Sequence, residues 1–207
     1  MKTLFPVLLI GLVISIRADG QTNLPPMAGT SHQTMETLVC IRHGETPPIG
    51  GGLGQLGCRG LNRALALPNV LLGKYGKPQF VFAPNPDKKE HGIYNYIRPL
   101  ITIEPTAVRC SLPVNTDFDK TKDLEQEISK PKYKNATIFI AWEHNALDVF
   151  VKNLIKDSGG DPAQVPIWPG NDYDTIFLVK ITRSEKEESV AFTIDHEGLN
   201  GLSDDCP

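Results

Sequence analysis

The chain has 207 residues, of which 40% are apolar and 22% charged. That length and composition suit one well-cored domain, since single domains usually hold about 100 to 200 residues. A formal net charge of −3 excludes the broad basic footprint that nucleic acid or an anionic membrane needs, so any anion bound here must be held by a local cluster of cations.

Residues 1–20, MKTLFPVLLIGLVISIRADG, read as a secretory signal peptide. Lys2 gives the positive start, an apolar run follows to Ile16, and the small residues Ala18 and Gly20 suit a signal peptidase. The run falls short of the roughly 20 residues a membrane span requires, so no span is expected and the location is secreted or extracytoplasmic. Losing Lys2, Arg17 and Asp19 removes two cations and one anion, which takes −3 to −4. Residues 21–35, polar with a proline pair, read as a flexible leader, and the domain runs over 36–207. Cys40, Cys58, Cys110 and Cys206 allow up to two disulfides in an exported chain, with three pairings and nothing to choose among them. No C-x-x-C pair is present, so a zinc site is not expected. Asn135-Ala136-Thr137 is a glycosylation sequon, relevant in a eukaryotic host.

Along the domain, strand-like and helix-like stretches alternate. Thr37–Ile41 is apolar and β-branched; GCRGLNRALALPNVLLGKYG has a helical pattern; QFVFAPNP is a strand and a turn; YNYIRPLITIEPTAVR is helical again. CSLPVN reads as a short strand, KDLEQEISKPKY as a polar helix stopped at Pro131, and ATIFIAW as a second apolar strand. In NALDVFVKNLIKDSGG the apolar residues Leu147, Phe150, Val151, Leu154 and Ile155 form one helical stripe, ended by Gly159 and Gly160. DTIFLVKIT and VAFTID close the domain across the charged turn RSEKEE. This alternation predicts an α/β sheet wrapped by helices.

Ligands of such sheets sit at the carboxyl ends of strands. Two strands here end in histidine: Leu38–Ile41 delivers Arg42 and His43, and Thr137–Trp142 delivers Glu143 and His144. Each end opens into a loop or helix start, where unpaired backbone N–H groups favour an anion. Neutral imidazole is a competent nucleophile toward phosphorus, and arginine grips phosphate oxygens through a planar, permanently charged fork. Two histidines, an arginine and a helix start therefore point together to a phosphoryl group. The backbone N–H groups of Asn145 and Ala146 add neutral donors in this reading. WPGNDYDT, just before a strand, offers Trp168 and Tyr173 as a rim for substrate, while Trp142 is assigned to the core.

The segment RHGE, Arg42 to Glu45, resembles the hallmark of the histidine phosphatase superfamily, the phosphoglycerate mutase-like phosphatases, and three later segments agree in order. LGCRGLNRAL is similar to that family's helix after the first loop, with Leu56, Gly60, Arg63 and Ala64 in place. RPLITIEPTA is similar to its second-arginine helix through Arg98 and Thr102, and TIFIAWEHNALDVFVKNL to the strand, histidine and helix that carry the second histidine, His144. The resemblance spans most of Glu36–Leu154.

It implies a three-layer sandwich with a mostly parallel central sheet, and a two-step reaction on a phosphomonoester, small molecule or protein. His43 would attack phosphorus and become phosphorylated, water would release phosphate, and Arg42, Arg98 and His144 would hold the equatorial oxygens. No metal or cofactor is implied. The general acid is left between Asp117 or Asp119 and Glu143, with Asp117 preferred; Glu45 is assigned to the loop and its ligand contacts. Two features depart from the family pattern: the extra loop DKKEHGIYNY ahead of Arg98, and the glycine-rich PPIGGGLGQ after His43. The alternative reading is a catalytically silent relative that binds phosphate or another anion.

Overall fold

A computed structural model of the chain describes residues 33–48, 53–87, 89–90 and 92–207. The expected signal peptide and nearly all of the leader lie outside the described residues, as do residues 49–52 at the centre of the glycine-rich loop.

Six strands form one sheet in the order β5-β2-β6-β1-β7-β8. They are β1 (Thr34–Arg42), β2 (Phe80–Phe82), β5 (Val114–Asn115), β6 (Thr137–Trp142), β7 (Thr175–Arg183) and β8 (Glu188–His196). The first four in that order run parallel, and β7 and β8 run antiparallel to their neighbours. Strand β1 begins at Thr34, because Thr34 and Met35 already pair with Arg183 and Thr182 of β7; the sheet claims the last residues assigned to the leader.

The period-two alternation of β1 and β6 builds two cores. Val39, Ile41, Phe139 and Ala141 face helices α1 (Cys58–Tyr75) and α2 (Arg98–Cys110), meeting Leu67, Leu71, Ile103 and Ala107. Leu38, Cys40, Ile138 and Ile140 face the other way, toward α3 (Thr121–Ile128) and α4 (His144–Asp157), meeting Leu124, Phe150, Val151 and Ile155. Helices on both faces of a mostly parallel sheet give the expected three-layer α/β sandwich.

Two local expectations need correction. CSLPVN is strand only at Val114–Asn115, because Cys110 completes α2 and Ser111 caps it in the left-handed region (φ 55). The segment ahead of Arg98 is not helical: Tyr94–Asn95 (β4) pairs with Lys89–Glu90 (β3) as a small hairpin, and α2 begins only at Arg98. Of the cysteines, Cys58 and Cys206 form a disulfide, while Cys40 and Cys110 are free and buried.

Candidate active site

The register of β1 and β6 sets the site. Arg42 pairs with Trp142, and the ladder runs one step further as the His43 N–H donates to the Trp142 carbonyl at 2.9 Å. Neighbouring strands lie about 4.8 Å apart, so the two histidine-bearing ends emerge side by side on one edge. His43 and Arg42 are buried, 4% and 5% exposed. His43 Nδ1 stands 2.8 Å from the Gly44 carbonyl oxygen. A carbonyl only accepts, so Nδ1 carries the proton and Nε2 keeps its lone pair. Burial, followed by the charges of Arg42, Arg98 and His144, lowers the His43 pKa to about 3. The ring is thus neutral at ordinary pH, and it lies within the electrostatic reach of all three of these groups.

Arg98 opens α2 and is buried. Its backbone N–H donates to Gly54 at 3.0 Å, as does that of Ile97 at 2.9 Å. Gly54 has φ +75, and a Cβ there would strike the Asn95 carbonyl, so only glycine lets the loop seat the helix start this closely. The extra hairpin therefore does not displace Arg98, because the chain returns to Gly54 before α2 begins. One turn on, Thr102 Oγ1 accepts from the Gly44 N–H at 2.9 Å, linking α2 to the nucleophile loop.

Two tyrosines complete the walls. Tyr96 meets His43 edge-on with ring centroids 6.0 Å apart and lies 4.8 Å beneath the Arg98 guanidinium. Tyr173 is 6.2 Å from the His43 ring and 3.9 Å beneath Arg42. Arg42 Nη1 also donates to the carbonyls of Gly170 at 2.8 Å and Asp172 at 2.9 Å. Asp172 shapes that loop by accepting from the N–H groups of Asp174 and Thr175. Asp172 and Gly170 belong to the WPGNDYDT segment expected to border a ligand, whereas Tyr96 had no sequence signal beyond lying near Arg98. Beside Tyr173 is a cavity of ≈ 390 Å³, bordered by Glu45, Thr46, Pro48, Arg59 and Asp204.

His144 opens α4, with Gly170 close to its Nε2. Its Nδ1 is 2.7 Å from Glu143 Oε1. Burial and then Arg42 lower its pKa, opposed by Glu143 and Asp148. The Glu143 carboxylate also caps the helix, accepting from the Asn145 N–H at 3.1 Å, the Asn145 side chain at 2.9 Å and the Ala146 N–H at 3.0 Å. The expectation that Asn145 and Ala146 offer free donors to an anion is therefore corrected, since these groups are engaged by Glu143.

Trp168 is likewise corrected from rim to core. It is 1% exposed, stacks on Phe177 at 4.4 Å, donates its N–H to Asp148 Oδ2, and donates its indole Nε1–H to the Asp172 carbonyl. Glu45 accepts both bonds of a two-point hold by Arg63, with Nε–Oε2 3.0 Å and Nη2–Oε1 2.8 Å. Asp117 and Asp119 are exposed in the turn after β5. Asp117 donates its N–H to Asn115 Oδ1, while the Phe118 carbonyl accepts from Asn85 beyond β2. Among the described residues no His, Cys, Asp and Glu group could hold a metal ion, and no helix is long and apolar enough to cross a membrane.

No family model matches the sequence, and no curated protein matches it. Solved structures do match. The SixA protein of Nakamurella multipartitia superposes with a TM-score of 0.54 at 14% identity, over 78% of this chain and 96% of its own. A mycobacterial glucosyl-3-phosphoglycerate phosphatase in complex with inorganic phosphate gives 0.53 at 16% identity, over 77% of this chain and 95% of its own. The protein histidine phosphatase SixA complexed with tungstate gives 0.53 at 14% identity, over 78% and 97%. The chain therefore shares the three-layer α/β fold of these solved structures.

Proposed function

We propose, from this fold and the cluster it carries, that the chain is an exported phosphomonoester hydrolase working through a phosphohistidine on His43. The observation that carries the reading is the neutral, Nδ1-protonated His43 set among Arg42, Arg98 and His144. Its Nε2 lone pair attacks phosphorus and the P–O ester bond breaks, the leaving oxygen taking a proton. Water then attacks the phosphohistidine, giving phosphate and restoring the imidazole. Three preorganised donors spread around the phosphoryl oxygens supply most of the stabilisation that such a transfer needs. The fold neighbours include phosphatases, one in complex with phosphate and one with tungstate, which supports a tetrahedral oxyanion as the class of ligand. Export is supported by the N-terminal stretch and by the Cys58–Cys206 disulfide, and N-terminal sequencing of protein recovered from the medium tests it.

Turnover of an aryl phosphate, with acid-labile phosphate trapped on the wild type and none on His43→Ala, is the expected result. Absence of hydrolysis across a broad pH range would remove the reading. A silent anion-binding protein is the second reading, favoured by the engagement of both nearby carboxylates, Glu45 by Arg63 and Glu143 by the α4 cap. Calorimetry separates the two: tight phosphate binding without turnover supports the silent protein.

A further inference from the structure

Behind the nucleophile loop, the C-terminal tail lies along the first two turns of α1. Arg63, fully buried, holds Glu45 of the loop with one side of its guanidinium and, with the other, Glu197 at the start of the tail and the Leu199 carbonyl at 3.3 Å. Asp174 closes the group, 3.7 Å from Arg63, and accepts from the Leu199 N–H at 2.7 Å. Further on, Asn62 donates to the carbonyls of Ser203 and Asp205, Arg59 pairs with Asp204, and Cys206 is joined to Cys58, the first residue of α1. On its other side the loop is pressed onto the same helix, since a Cβ on Gly44 would come within 2.9 Å of Gly60 Cα, and Gly57 donates to the Glu45 carbonyl at 2.8 Å.

We propose that this tail is a brace that fixes the His43 loop through Arg63 and Glu45, and that the Cys58–Cys206 disulfide is a redox control on it. The proposal rests on the hydrolase reading and names the regulation of its site. The tail residues beyond Glu197 bury little: Asp204 is 79% exposed and Cys206 lies at the surface, so the disulfide is within reach of a soluble dithiol. A dithiol delivers two electrons and two protons to the S–S bond, leaving the thiols of Cys58 and Cys206 and its own oxidised disulfide. Residues 203–206 are then held only by exposed hydrogen bonds and one surface ion pair, which are weak individually, while Glu197 and Leu199 keep their bonds to Arg63 and Asp174. Once that end lifts, the segment from Glu197 to Leu199 is no longer anchored at Cys206, and Arg63, which that segment holds, keeps Glu45, and with it the His43 ring, less rigidly. Arg42, Arg98 and His144 sit on strand ends and helix starts of the sandwich and keep their grip on phosphate. Turnover therefore falls while phosphate affinity stays, since small misplacements of a nucleophile are costly.

The test compares oxidised protein, protein reduced with dithiothreitol, Cys206→Ser, and oxidised Arg63→Lys, which keeps the charge but not the two-point hold on Glu45. Reduction, Cys206→Ser and Arg63→Lys should each lower kcat by roughly tenfold or more, with the Kd for inorganic phosphate changed less than threefold and activity restored on reoxidation of the wild type. Full kcat in the reduced protein or in Arg63→Lys overturns the proposal, as does a loss that follows global unfolding by near-ultraviolet circular dichroism at the assay temperature. If the wild type is inert, the hydrolase reading fails separately. The brace is then judged by the Gly44 amide and His43 ring signals in NMR, which must shift on reduction, and unchanged signals overturn it.

Discussion

His43 Nδ1 and the Gly44 carbonyl oxygen are 2.8 Å apart, which makes the tautomer of the imidazole a property of the loop backbone. The other ring nitrogen keeps its lone pair, and the ring refuses a second proton because it is buried and feels the charges of Arg42 and Arg98, its pKa lowered to about 3 from an ordinary 6.5. Between those values the unfolded chain takes up a proton that the folded chain does not, so stability must fall as pH drops through that window. From pH 7 to pH 5 His43 alone should cost about 2 kcal/mol, read by urea unfolding as a pH slope that is shallower in His43→Ala. In ¹⁵N NMR the His43 ring should not titrate between pH 5 and 8; a midpoint near 6.5 would contradict the burial argument.

Arg42 and Arg98 should separate in their consequences. Each substitution to alanine removes a cation from the phosphoryl site and should lower kcat/KM by about 10²- to 10³-fold. Arg42→Ala should also loosen the loop at Gly170 and Asp172, whose carbonyls its Nη1 holds, so its hydrogen exchange should quicken there. Arg98→Ala should leave that loop unchanged. Equal exchange in both variants would contradict the bonding described.

How much of this was legible in the sequence follows from what each feature depends on. The two histidine-bearing strand ends were readable because an apolar run stopping at Arg42-His43 or Glu143-His144 has few other uses. The sandwich was readable because the alternation of β1 and β6 and the stripe of α4 are local patterns. Arg98 stayed attached to the site across an extra hairpin because Gly54 ties down its helix start, a long-range bond that no local pattern reveals. Trp168 was misplaced for a related reason: next to polar loop residues it reads as a rim, yet its partners Asp148 and Phe177 come from other elements. The Asn145 and Ala146 donors were misread because an N-cap is a competition, and Glu143 wins it from one residue before the helix. The Arg63 cluster joins residues as far apart as 45 and 197, beyond any reading of spacing.

His144 must carry a proton on Nε2 to donate to a phosphate oxygen, yet burial and Arg42 lower its pKa. A dianionic phosphate offsets Arg42 and reverses that balance. Phosphate binding at pH 7 should therefore take up a fraction of a proton, seen as a dependence of the calorimetric enthalpy on buffer ionisation enthalpy. His144→Asn should lower the uptake by the share that His144 supplies, the phosphate's own ionisation being common to both proteins, and equal uptake in the two would assign the proton elsewhere.

The leaving group distinguishes the two candidate acids. If Asp117 delivers the proton, Asp117→Asn should slow alkyl phosphates at least tenfold while aryl phosphates, whose leaving oxygens need little protonation, change little. Glu143→Gln weakens the carboxylate cap and the His144 contact together, so it should slow both substrate classes equally and cost about 1 kcal/mol of stability. A leaving-group dependence in Glu143→Gln but not in Asp117→Asn would exchange the roles.

The Arg63 cluster gives a stability prediction of opposite sign to that of His43. Glu45, Glu197 and Asp174 surround one buried guanidinium, and Tyr75 on α1 also senses Glu197. Burial, reinforced by Asp174 and Glu45 and opposed by Arg63, raises the Glu197 pKa to about 8. Over the span from its ordinary 4.5 to 8 the folded chain keeps a proton that the unfolded chain has released. The contribution of Glu197 to stability is therefore complete below pH 4.5 and declines as pH rises to 8. Glu197→Gln places a neutral donor and acceptor where the protonated carboxyl stands, and should unfold at the same denaturant concentration at pH 6 and pH 8.5 once other groups are matched, whereas the wild type should weaken. Arg63→Ala leaves Glu45 and Asp174 without their buried cation beside the Glu197 carboxyl and should cost about 3 to 5 kcal/mol at neutral pH, with part of the loss recovered on acidification toward pH 5. A cost under about 1 kcal/mol, the range of an exposed ion pair, would mean that water reaches the cluster and that Arg63 is not the link between the nucleophile loop and the tail.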